Sequence, residues 1–295
     1  MRILKLTIAF VFTVYVLKPC FAKAEKISAE LIAAALSAQE QASEPGLLIR
    51  YSEFFVKGNV KLRAFSNVYV RTKDYMILKS DGFLHGETHI MTSLTTYDRK
   101  KDRYQTLITW NEKIKSETER ISGEIGTGTG VFPDLDMPDP ALLKVSDVLF
   151  LQDLISGKNN IKVDVSEKKE MIDGYPCYML NATNLKGGRE CQIWVDPSIC
   201  FCPRQVIIKY PDSSFFLLKL KQYRKVEKEV WIPSTVERIA AFKKEDGSIK
   251  KTACLIELEE VTAGQQIIIN DYIVKFPPGI SIYDSNTGNV IRLPK

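Results

Sequence analysis

Between residues 47 and 262 the chain is cut at short intervals by turn residues, and the runs between the cuts alternate apolar with polar side chains. A period of two buries one face of an extended strand and leaves the other wet. Repeated this often, the pattern leaves little choice but a large antiparallel β-sheet. Runs fall at 47–56, 60–65, 67–72, 75–80, 88–97 and 104–110, with a polar edge strand over 114–122. A second series falls near 161–170, 175–183, 190–196, 203–210, 215–227, 230–243 and 249–262. Gly, Pro, Asn and Asp punctuate them, as at Lys57-Gly58-Asn59, Asp196-Pro197-Ser198 and Glu245-Asp246-Gly247.

Only two segments carry a helical period. In residues 27–42, Ser28 can cap, Leu31, Ile32, Ala35 and Leu36 share a face, and Pro45-Gly46 end the helix. In residues 141–157, Leu142, Val145, Leu149, Leu151 and Leu154 fall near one face before Gly157. The Gly-, Pro- and Asp-rich stretch 124–140 between the two strand series reads as a break. Its Gly-Thr-Gly-Thr-Gly (126–130) lacks the Lys-Ser/Thr ending of a phosphate loop and reads as a flexible connection.

The first 24 residues hold Arg2 and Lys5, an apolar stretch from Thr7 to Leu17, and then Ala22 and Ala24. That order is the pattern of a cleavable export signal, too short in its apolar part to span a bilayer. The segment also carries Lys18 and Lys23 and no acid. Removing its four basic residues from 41 leaves 37 against 36 acidic ones, a formal +1. The basicity therefore belongs to the export signal, and a nucleic-acid partner loses its support. Residues 25–295 are expected to form one domain.

Four of the six cysteines lie within residues 175–202. Hairpin partners have numbers that add to a constant. A turn near Lys186-Gly187 makes that sum about 373, so Cys191 faces Ala182 and Cys177 faces Asp196. A turn near Ile199-Cys200 makes it about 399, so Cys191 faces Ile208 and Cys202 faces Pro197. Neither register pairs two cysteines; only Cys200, in a turn, is free to reach Cys177 or Cys202. The spacings fit no zinc signature, and C-x-C is not the redox motif. Small apolar side chains in a sheet are the plain reading of Cys177, Cys191, Cys202 and Cys254, with their oxidation state left open.

A search for catalytic groups returns little. The two histidines lie in HGETH (85–89), an order that fails the zinc-protease pattern. On a strand, His85, Glu87 and His89 would share a face and could hold a metal; a solvated turn is the simpler reading. No G-x-S-x-G occurs. No enzyme, cofactor or metal is expected.

Apolar strand face is what remains. Alternation places Tyr178 and Leu180, Ile193 and Val195, Val206 and Ile208, Phe216, Leu218 and Leu220, and Ile256 and Leu258 on one side. The hairpin sums keep that parity across strands: 178 faces 195, and 193 faces 206. The opposite side carries Gln192, Lys209, Lys219, Lys221, Glu257 and Glu259, with Trp194 out of pattern among them. A sheet with one apolar concave face must be covered, and the two helices are available. They either fill it as a core or leave a cavity under a lid, with Leu149, Phe150 and Leu154 adding to the lining.

Certain residues carry a family likeness. IDGYPCYMLNAT (172–183), CQIWVDPSICFCPRQVII (191–208) and the closing INDYIVKFPPGISIYD (269–284) follow one another in order. This succession resembles the outer-membrane lipoprotein-sorting carriers of the LolA/LolB type and their RseB-type relatives, best over residues 160–285. The resemblance implies a mainly β fold: an incomplete, half-open antiparallel barrel of about 11 strands wrapped round two or more helices. It implies a periplasmic, non-catalytic, monomeric carrier or sensor that holds lipid or lipoprotein acyl chains and meets envelope membrane proteins. The alternative is an envelope structural or protein-interaction module with a filled core.

Overall fold

The structure, a computed structural model, describes residues 27–42, 46–111, 121–127, 162–185, 188–227, 230–244, 246–263, 267–270 and 272–294. The export segment and the expected helix 141–157, with Leu149, Phe150 and Leu154, lie outside them.

Helix α1 spans Ala29–Ala42. Ser28 caps it as expected: the Leu31 N–H donates to Ser28 Oγ at 3.3 Å. The strands are β1 (Gly46–Lys57), β2 (Val60–Thr72), β3 (Tyr75–Leu84), β4 (Thr88–Asp98), β5 (Arg103–Trp110), β6 (Ile121–Thr127), β7 (Lys162–Val165) and β8 (Glu170–Ile172). They continue with β9 (Tyr175–Leu185), β10 (Arg189–Asp196), β11 (Cys202–Lys209), β12 (Phe215–Glu227), β13 (Val230–Lys243), β14 (Ile249–Ala263), β15 (Ser281–Asp284) and β16 (Asn289–Arg292).

All sixteen belong to one unclosed sheet, in the order β16-β15-β6-β5-β4-β3-β2-β1-β14-β13-β12-β11-β10-β9-β7, with β8 beside β9. The expected count of about eleven is too low for two reasons. The two strand series join through β1, which pairs with β2 on one side and β14 on the other. The C-terminal residues add β15 and β16, and β15 docks parallel on β6, a long-range pairing without a local turn signal. One helix is present among the described residues where two or more were expected.

The face against which α1 packs is called inner here. Its buried cluster takes Ile32, Ala35 and Leu36 from α1, Ile49 and Tyr51 from β1, Tyr69 from β2, and residues of every strand from β9 to β14. The outer face of β3–β6 is covered instead by residues 272–284. There the Thr96 hydroxyl donates to the Tyr272 carbonyl, and the Val274 N–H donates back to Thr96 Oγ1, each at 3.1 Å. A side chain at Gly123 would come within 2.7 Å of the Phe276 ring, so this covering requires glycine at that position.

Candidate functional site

The nine expected lining residues on β9–β12 fall where alternation puts them. Leu180, Ile193, Val195, Val206, Ile208, Phe216, Leu218 and Leu220 are each at most 5% exposed within the inner cluster. Tyr178 is partly buried against it, as is Leu258 of β14, while Ile256 lies within it. The register agrees with the expected sums: Tyr178 opposes Val195, and Ile193 opposes both Leu180 and Val206. Cys191 opposes Ala182 and Ile208.

One pairing is corrected. A bulge between Trp194 and Val195 shifts the β10–β11 register, so Cys202 opposes Asp196 rather than Pro197. The WVDP…PR segment is built around that bulge. Asp196 is fully buried. One carboxylate oxygen accepts from the Ser198 N–H and hydroxyl at 2.8 and 2.6 Å, capping a single 3₁₀ turn. The other accepts from Arg204 Nε and Nη2 at 3.0 and 2.8 Å. The guanidinium lies 3.8 Å from the Tyr175 ring centroid and 5.1 Å from that of Tyr223. Cys200 and Phe201 are both held at left-handed φ, 56° and 59°, and Phe201 is sunk into the inner cluster. Buried charge, stacking and Phe201 burial together offset that strain. Trp194, out of pattern in the sequence, donates from its indole N–H to Glu170 Oε2 at 2.7 Å, because β8 folds over it.

The inner face is not uniformly apolar. At β1, β13 and β14 it carries Glu53, Arg238 and Cys254. Arg238 Nη2 donates to Glu53 Oε1 at 2.8 Å, and the Cys254 thiol donates to the same oxygen at 3.0 Å. Burial first, then the Glu53 carboxylate, push the Cys254 thiol up to about 12. Burial and then Asp196 push Cys177 up to about 11. Thiols held protonated in this way are poor nucleophiles. None of the five cysteines of the described residues forms a disulfide; Cys200 is half-buried and the rest are buried.

The HGETH residues do not converge. His85 sits in the β3–β4 turn at φ 52°, while His89 on β4 reaches Asp81 at 3.7 Å and Thr92 Oγ1 at 3.1 Å. Among the described residues no three His, Cys, Asp or Glu side chains are grouped to hold a metal. A separate polar cleft of about 440 Å³ opens on the outer side, between β3–β6 and the C-terminal segment. Arg103, Gln105, Asp98 and Asp284 line it over a floor of Ile125 and Ile273. Sequence reading missed this cleft, because β15 reaches β6 across a large sequence separation. None of the described helices is long and apolar enough to cross a membrane.

No protein-family model matches the chain, and no curated protein matches it. Solved structures show distant likeness. A DUF1329 family protein from Desulfovibrio piger aligns at 10% identity over 84% of this chain and 98% of its own, with a TM-score of 0.46. PNGF-II aligns at 10% identity over 82% of this chain and 32% of its own, with a TM-score of 0.30. The Pseudomonas aeruginosa MucA/MucB complex yields a match of 7% identity over 80% of this chain and 99% of the matched chain, with a TM-score of 0.26. Likeness at these scores assigns neither family nor function.

Proposed function

We propose that this protein is an exported, non-catalytic binding module of the cell envelope that holds the acyl chain of a lipid or lipoprotein against its inner face, beneath α1. One observation carries the reading. The apolar side chains of β9–β14 merge into a single buried cluster, and the described segment seated on it is a helix whose buried face is thin. Among its described side chains, two of the four buried ones are alanines, Ala29 and Ala35, beside Ile32 and Leu36. Lifting Ile32 and Leu36 costs about 3–6 kcal/mol, and each methylene that takes their place regains about 0.8 kcal/mol. Ten methylenes would supply about 8 kcal/mol without a polar contact. Leu149, Phe150 and Leu154, in the helix expected over 141–157, belong to the proposed lining but lie outside the described residues.

A second reading has its own observation. Ile32 is fully buried and Leu36 is 2% exposed, as a plug would be. On that reading the protein is an envelope interaction module with a filled core. Uptake of a fluorescent long-chain fatty acid separates the two when measured on the native chain and on Ala240→Trp. Ala240 is buried opposite Phe216. Binding by the native chain, abolished in a folded A240W, is the expected result. No uptake by the native chain, with A240W destabilised by about 1–3 kcal/mol through overpacking, overturns the binding reading.

A further inference from the structure

Five short hairpin turns lie at the same end of the sheet, and three of them, β1–β2, β3–β4 and β13–β14, follow one another along it. The strand order β4-β3-β2-β1-β14-β13 sets them side by side, with neighbouring turns about 10 Å apart. The first two touch, since a side chain at Gly86 would come 3.3 Å from the Arg63 backbone nitrogen.

Six of the twelve exposed large apolar residues among those described crowd onto these tips. Phe55, Val60, Leu62, Leu84, Phe242 and Ile249 are each between 41% and 56% exposed. Single exposed apolar side chains are ordinary, but six on three adjacent turns are not. Phe55 opposes Cys254 and Leu62, so both Phe55 and Leu62 carry the inner-face parity outward past the buried cluster. Phe242 does the same two residues beyond Ala240. The charge here is predominantly positive. Lys57 and Arg63 flank the first tip, and Lys243, Lys244, Lys250 and Lys251 flank the third, all exposed. The exposed acids of the described tip residues are Glu87 and Asp246.

We propose that these tips form a docking surface for an anionic lipid bilayer. The apolar side chains enter the boundary between headgroups and acyl chains, and the lysines meet the lipid phosphates. A bilayer fits better than a folded protein partner, because the apolar groups project from convex turn tips flanked by predominantly positive exposed charge. Docking does not depend on cargo: a protein with a filled core would dock in the same way.

Flotation of the full chain with protein-free vesicles tests this. Vesicles of phosphatidylcholine mixed with phosphatidylglycerol are expected to carry the protein, and vesicles of phosphatidylcholine alone to carry much less. Salt should weaken the binding, since the lysines are exposed. Each of K250Q and K251Q should lower affinity about fivefold. The double substitution F55D/F242D should lower it more than tenfold, with an unchanged urea midpoint because both positions are exposed. Failure of the native chain to float with anionic vesicles overturns the proposal. So does flotation of F55D/F242D at the native level, or binding only to vesicles that carry membrane proteins.

Discussion

Truncating Arg204 to alanine isolates what the WVDP…PR segment contributes. The side chains of Arg204 and Asp196 are 6% and 0% exposed, and two N–H groups meet one carboxylate oxygen at 3.0 and 2.8 Å. R204A leaves a buried carboxylate whose other partners are the two Ser198 donors. Removing one member of a buried pair costs about 3–5 kcal/mol. The lost stack on Tyr175, at 3.8 Å, adds about 0.5–2 kcal/mol. The expected loss is therefore about 3.5–7 kcal/mol, a large share of the roughly 5–15 kcal/mol stability of an ordinary domain. Urea unfolding followed by tryptophan fluorescence reads it, and Trp194, 6% exposed, reports from the same β10–β11 hairpin. Asp196→Ala should cost a similar amount, because it also removes the 3₁₀ cap. The double variant should cost well under the sum of the singles, since the penalty of a stranded charge disappears. A loss below about 1 kcal/mol for R204A, or strict additivity in the double variant, would refute the argument.

Leu218→Ala should cost about 2–5 kcal/mol and Lys219→Ala less than about 0.5, because these neighbours face opposite sides of β12; equal costs would mean the register is wrong. Thiol labelling at neutral pH should modify Cys200 quickly and Cys177 and Cys254 only on unfolding. Rapid native labelling of Cys254 would contradict its burial beside Glu53. Folding raises the Cys177 and Cys254 thiols from 9.0 to about 11 and 12, so the folded state retains protons that the unfolded state releases. Stability should be unaffected by these thiols below pH 9 and fall as pH rises through 9 toward 11–12. Cys254→Ala should make that alkaline decline shallower, and an unchanged slope would remove Cys254 as a cause.

Local pattern reached most of the strands and failed where contacts are long-range. β12 and β13 occupy the expected spans, since period-two alternation and a nearby turn are enough to define them. The β9–β10 register followed from one short connection. The β10–β11 bulge did not, because it depends on Arg204 and Asp196 closing on each other. Residues 60–72 read as two strands because Ser66 interrupts the apolar pattern; pairing with both β1 and β3 makes them one. The apolar part of the candidate site was legible, since parity is a local property. Its polar part was not: Glu53 and Arg238 stand 185 residues apart and meet only because β14 lies between β1 and β13.

The central claim is that the inner face holds an acyl chain. Native mass spectrometry of the purified protein, followed by organic extraction of whatever accompanies it, tests that claim most directly. The account predicts a stoichiometric adduct that extracts as a lipid or an acylated peptide and is lost in A240W. A bare chain mass, with no adduct after incubation with a long-chain fatty acid, would contradict it and leave the filled-core reading standing.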